Sequence, residues 1–175
     1  MRRWRQSKWR ICYAVWTPEP KVNVHRARQL ARRLALQALY QLQINPLSWA
    51  DTLRQFAEGP EAERVDRDYF RELVTAIAPH RDALDGQLAT LCEIPPPELD
   101  PVEHAVLWLG LHELECCPDL PYRVVLEEAV QLSKQFGATD GHKFVNAVLD
   151  RAAKQLRREE YGNPAAHPSG QTPKG

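Results

Sequence analysis

Residues 25–43, HRARQLARRLALQALYQLQ, decide the fold. With Arg26 at 0° and about 100° per residue, Leu30, Leu34, Ala27, Ala38, Ala31, Leu42, Ala35 and Leu39 fall between about 40° and 220°. Arg28, Arg32, His25, Gln29, Tyr40, Arg33 and Arg26 fall between about 200° and 360°, with Gln37 just past them. One apolar face and one basic-polar face predict an amphipathic helix to about Gln43, stopped by Asn45-Pro46.

Outward from that helix the helical pattern continues. Ser48 with Asp51 reads as a capping box opening a short helix to Glu58, and Gly59-Pro60 breaks it. Asp66 opens a third helix carrying Tyr69, Phe70, Leu73, Val74 and Ile77 inward. Pro79 marks a kink or a new start, and Leu84, Leu88 and Leu91 extend the register to Cys92. Pro95-Pro96-Pro97 is a stiff connector between two helical lobes. Asp100-Pro101, an N-cap residue followed by proline at the first helical position, starts the next helix, which ends near Cys116. Pro121 starts another that Gly137 stops, and the last runs from Asp140 to Arg158. No strand pattern and no fixed repeat occur. The expected fold is all-α, with about seven helices in two small bundles: residues 25–94 and residues 98–160. Residues 1–24 are expected to be a disordered basic arm or a spurious extension, and residues 161–175 a disordered tail rich in proline and glycine.

The zero net charge conceals a separation: residues 1–33 hold ten lysines and arginines against one acid, and residues 34–175 hold thirteen against twenty-two. A basic arm on an acidic body suits one polyanionic and one basic partner, although acids also simply solubilise helices. No apolar run approaches the roughly 20 residues that span a bilayer, and nothing resembles a signal peptide, which points to the cytoplasm and away from membranes. Cys12, Cys92, Cys116 and Cys117 form neither a disulfide framework nor a C-x-x-C metal motif.

Convergent catalytic groups are absent from the pattern. There is no G-x-x-x-x-G-K-[ST], no G-x-G-x-x-G and no G-x-S-x-G. His112-Glu113 begins a zincin-like motif, but Cys116 stands where the second histidine is required. The expectation is a non-enzyme without metal or cofactor. What remains is Arg26, Arg28, Arg32 and Arg33 on one helix, guanidinium forks suited to phosphate, with Tyr40 alongside as a face for an unstacked base.

Those residues carry a resemblance. Arg26-Ala27-Arg28…Ala31-Arg32…Ala35-Leu36-Gln37-Ala38-Leu39-Tyr40-Gln41 resembles the opening of the NusB transcription-antitermination family. Glu103-His104-Ala105-Val106-Leu107 and Leu111-His112-Glu113-Leu114 are similar to its central helix. Pro121-Tyr122-Arg123, Glu127-Glu128-Ala129-Val130, Lys134-Gln135-Phe136-Gly137 and His142-Lys143-Phe144-Val145-Asn146-Ala147-Val148-Leu149-Asp150 are similar to its C-terminal signature. Order and spacing agree over about residues 25–158. The sequence departs from the family in the dilution of its arginine cluster by Gln29-Leu30 and Leu34, and in Ala147, which replaces a common glycine.

The resemblance implies an RNA-binding factor that recognises boxA-type single-stranded RNA together with NusE, a small-subunit ribosomal protein. It also implies work with the RNA polymerase elongation complex and other Nus factors during read-through of ribosomal RNA operons. Implied RNA contacts are Arg26, Arg28, Arg32, Arg33, Gln37, Tyr40 and Phe136, and implied partner contacts are Glu103, His104 and Leu107. Phe136 has a second reading, as a core aromatic ahead of a helix-stop glycine. A homodimer stays open. The alternatives are a helical protein-interaction adaptor without RNA binding, or an isolated NusB-like lobe related to rRNA methyltransferases. The latter enzymes need a further catalytic domain for which 175 residues leave no room.

Overall fold

The computed structural model describes residues 24–45, 48–59 and 64–162. The expectations for residues 1–23 and 163–175 lie outside those bounds. The described residues form α-helices α1 (Val24–Ile44), α2 (Trp49–Ala57), α3 (Arg67–Ile77), α4 (Arg81–Leu91), α5 (Pro101–Cys116), α6 (Tyr122–Phe136), α7 (Gly141–Leu156) and the short α8 (Arg158–Gly162). Single 3-10 turns, Ala78–His80 and Pro96–Glu98, carry the chain through its proline-containing junctions. No strand is present among the described residues. None of their helices is long and apolar enough to cross a membrane.

Helix α5 is the axis of the bundle. Every residue from Glu103 to Leu114 is buried, as expected for a helix enclosed on all sides. Helices α1, α3, α4, α6 and α7 all pack on it, while α2 leans on α1 and α3. Gly110 lets α7 approach: a Cβ there would sit 2.6 Å from Leu149 Cδ1. Helix α4, with Leu84, Leu88 and Leu91 inward, contacts α5 and α7. Asp85 fastens it, since one carboxylate oxygen accepts from both His104 Nε2 (2.6 Å) and Trp108 Nε1 (2.7 Å).

Two helix starts, those of α3 and α5, follow local capping chemistry directly. Asp66 accepts from the Tyr69 N–H (3.0 Å) and Asp100 from the Val102 N–H (2.8 Å), so both act as side-chain caps. The capping box expected at Ser48 and Asp51 does not form. The Ser48 hydroxyl makes no capping bond, and Asp51 pairs with Arg54 instead (3.1 Å). The last helix, expected to run unbroken to Arg158, breaks at Arg157. That guanidinium turns back to donate to the carbonyls of Leu114 (2.6 Å), Cys117 (2.6 Å), Pro118 (3.1 Å) and Glu113 (3.2 Å). It thereby satisfies the carbonyls that the end of α5 leaves open.

Burial holds the His112 imidazole below the usual histidine range, while Glu72 and Glu115 pull the other way. The fold therefore favours the neutral ring. Below the unfolded pKa of about 6.5, the unfolded chain takes up a proton that the folded chain resists. Stability from this group is complete above that pH and is lost as pH falls through the depressed folded value. The melting temperature should drop between about pH 7 and pH 5, and less so in His112→Gln. Equal pH dependence in both proteins would acquit His112.

Candidate nucleic-acid interface

Helix α1 presents two different faces to two different fates. Its exposed stripe holds Arg26, Gln37, Tyr40 and Ile44, with half-buried Arg33 among them. On an ideal helix these positions stay within about 40° of Arg26 and extend roughly 27 Å along the axis. Tyr40 is 41% exposed. Beside it opens a groove of about 500 Å³ lined by Leu36, Gln37, Tyr40, Gln41, Ile44, Asn45, Phe56, Val102 and Phe136. Phe136, at the end of α6, is 36% exposed. So Gln37, Tyr40 and Phe136, taken from distant parts of the sequence, share one apolar groove with amide side chains among its lining. Phe136 is therefore not a core aromatic.

The remaining groove residues escaped the sequence reading. Val102 and Phe56 look like ordinary core positions in their own helices, and only the crossing of α1, α2, α5 and α6 brings them together. Ile44 and Gln41 were legible in principle, as continuations of the stripe that carries Gln37.

Arg32 corrects the sequence expectation. The sequence pattern groups it with the RNA-contacting arginines, yet its side chain is 3% exposed. Its Nε donates to Glu113 Oε1 at 2.7 Å, its Nη2 donates to the Tyr69 hydroxyl at 3.2 Å, and Glu128 stands 3.8 Å from Nη1. The Tyr69 hydroxyl in turn donates to Glu113. Burial opposes the guanidinium charge, but Glu113, Tyr69 and Glu128 outweigh it and hold Arg32 above its already high range. Burial also pushes the Tyr69 hydroxyl far up, keeping it a donor. The cause is geometric: Arg32 projects at about 240° on the wheel, next to Leu36 at about 280°, and that side of α1 lies against α5 rather than water.

Arg28 occupies an intermediate place. It is exposed, lies 3.6 Å from Asp66, and sits 5.0 Å from the Tyr69 ring centre. Glu128, mostly buried on α6, gathers the first turns of α1. It accepts from Gln29 Nε2 (2.9 Å) and stands 3.4 Å from His25 Nε2.

The expected partner contacts also need correction. Leu107 is fully buried in α5, and His104 is buried on Asp85. Glu103, 5% exposed, accepts from the Ala138 N–H at 3.0 Å. None of the three offers a surface to another protein. Among the described residues, no group of three or more His, Cys, Asp or Glu side chains is placed to hold a metal ion.

The family model described as "NusB family" matches residues 29–154, from the second turn of α1 to the last turn of α7. This chain belongs to the NusB family. A transcription antitermination protein NusB from Idiomarina loihiensis is 44% identical over 131 residues, 75% of this chain and 94% of that one. The protein of the same name from Methylobacillus flagellatus is 40% identical over 144 residues, 82% of this chain and 92% of that one. Among solved structures, T. maritima NusB aligns with a TM-score of 0.69 at 26% identity, covering 77% of this chain and 96% of its own. A structure of the antitermination factors NusB and NusE in complex with dsRNA aligns with a TM-score of 0.65 at 25% identity, covering 74% and 98%. The all-α fold is thus that of NusB proteins. The family match takes in Arg32, Arg33, Gln37, Tyr40 and Phe136, while Arg26 and Arg28 lie just before it.

Removing one partner of a buried pair leaves the other charge uncompensated. Arg32→Ala should therefore cost about 3–5 kcal/mol of stability in chemical denaturation. Joint replacement, Arg32→Met with Glu113→Leu, should recover most of that loss. A destabilisation below about 1 kcal/mol for Arg32→Ala would show that the pair does not hold α1 against α5.

Proposed function

We propose that this chain is an RNA-binding transcription antitermination factor that takes boxA-type single-stranded RNA across the exposed stripe of α1 and the adjoining groove. It acts jointly with a NusE-type ribosomal protein and the RNA polymerase elongation complex, in the cytoplasm, and supports read-through in ribosomal RNA operons. It catalyses no reaction. The observation that carries this reading is the joining of two features: a cationic stripe (Arg26, Arg33) leads along one helix into a groove walled by Tyr40 and Phe136.

Each feature does part of what unpaired RNA requires. Guanidinium groups neutralise phosphates and stack on bases. Aromatic rings at a groove's edge accept bases that duplex pairing does not occupy. Gln37, Gln41 and Asn45 supply donors and acceptors for base edges. The solved complex of NusB and NusE with dsRNA supports the reading, because there a protein of this family is found with NusE and RNA together. The acidic body complements a basic partner, which meets exposed residues around α5 rather than Leu107 in its centre.

The test is binding of boxA-like RNA in the presence of the basic ribosomal partner, measured by fluorescence anisotropy across salt. Two arginines neutralising two phosphates give a slope of log K against log salt of about −1.4. Binding should then weaken roughly sevenfold from about 50 to 200 mM salt. Tyr40→Ala should cost about 1–3 kcal/mol of binding while leaving the melting temperature nearly unchanged. A flat salt dependence would overturn the RNA reading and favour a protein-interaction adaptor. Equal affinity for duplex and single strands would remove base stacking from the account.

A further inference from the structure

The turn between α6 and α7 carries Phe136 at its start and is closed by one backbone bond, from the Gly141 N–H to the Ala138 carbonyl (3.0 Å). Gly137 N–H is spent on the Ser133 carbonyl (2.8 Å). Asp140, in the position where a capping side chain would serve α7, makes no capping bond and pairs with exposed Lys143 instead (2.7 Å). The side chain that reaches the turn comes from another helix. Glu103, on the first turn of α5, accepts the Ala138 N–H at 3.0 Å.

Two glycines make room for it. A Cβ on Gly137 would stand 2.8 Å from the Ser133 carbonyl oxygen and 2.9 Å from Glu103 Oε1, and a Cβ on Gly141 would collide outright with the Glu103 carboxylate. Neither glycine has a positive φ, so space rather than backbone freedom calls for glycine here. The neighbouring residue on α5, Val102, lines the same groove as Phe136. One turn of α5 therefore supplies both a piece of the groove floor and the clamp on the loop that ends in its aromatic wall.

Holding a carboxyl there has a cost. Burial, and then Asp100 nearby, push Glu103 above the usual carboxylate range, and the Ala138 N–H offsets this only in part. A cavity cut by two glycines around a buried carboxyl is a fitted seat.

We propose that Glu103 is a positioning residue for RNA binding: seated between Gly137 and Gly141 and bonded to Ala138, it fixes the α6–α7 turn and so sets Phe136 in the groove it shares with Tyr40. This rests on the RNA reading above for its consequence, but the clamp itself is measurable without RNA.

The test compares Glu103→Ala, Glu103→Gln and Phe136→Ala in the full chain by amide hydrogen exchange and by boxA-like RNA binding with the ribosomal partner. In Glu103→Ala the Ala138 amide should exchange at least about fivefold faster, the loss of one hydrogen bond, while amides in the middle of α1 keep their protection. RNA binding should weaken about as much as in Phe136→Ala, and the double variant should be no weaker than Phe136→Ala alone. Glu103→Gln, which keeps an acceptor of the same reach, should restore both readouts to within about twofold of the wild type. Should Glu103→Ala fail to fold, Gly141→Ala evicts the carboxylate by the opposite route and should give the same pair of changes. Unchanged Ala138 exchange overturns the proposal, as does acceleration spread equally over the core, or additive losses in the double variant. Absence of RNA binding by the wild type would instead sink the function proposed above, leaving the clamp to be decided by exchange alone.

Discussion

The Arg32–Glu113 pair is the constraint on which the rest of the molecule turns. It joins residues 81 apart in sequence, from the first helix to the central one, with Tyr69 of α3 completing the contact and Glu128 of α6 close by. In a medium that solvates charge poorly, such a pair tolerates little rotation or slippage. Fixing Arg32 fixes how α1 is rolled on the bundle. Once that roll is set, Arg26, Gln37, Tyr40 and Ile44 have no choice but to face solvent, a third of a turn away. The arginine that gives up its place on the surface is the one that decides what the surface displays.

This explains how the sequence could be read so well and still misplace Arg32. Helix existence and most starts follow from short-range rules: Asp66 and Asp100 cap as their neighbours dictate, and prolines sit where helices begin. A helical wheel assumes one apolar and one polar face. Helix α1 is covered from two directions, by α2 and α3 on one side and α5 on another, so its buried arc extends past Leu39 to Arg32 and Leu36. An arginine inside that arc is revealed only by the acid that meets it, and nothing local to either residue announces the pairing. Glu103 failed the same way. A glutamate on the first turn of a helix reads as solvent-facing until two distant glycines are seen to make a seat for it. The groove was half legible, because its aromatics could be named but not their meeting.

The charge separation along the chain takes a more specific form in three dimensions. Part of the basic arm is consumed internally, by Glu113 for Arg32 and by Asp66 beside Arg28, while Glu128 draws His25 and Gln29 to the bundle. Acids of the body thus organise the start of α1 as well as solubilising the surface. The line of cations that α1 turns toward solvent is narrower than composition suggests, and its continuation into an apolar groove shifts weight from charge toward stacking.

Arg157 has a bearing on how the molecule comes to be made. The central helix is finished at its C-terminal end by a guanidinium some 40 residues further along, and Glu160 beside it accepts the first N–H of α6 at 2.9 Å. During synthesis, α5 emerges and can pack while its last carbonyls still face water. The junction closes only after α7 has left the ribosome and brought its final turn back across the bundle. Domains assemble largely in the order in which they are translated. Here the middle of the chain must wait for a later segment before its axis is secured, so a nascent chain halted inside α7 would lack both that helix's share of the core and the fastening of the end of α5.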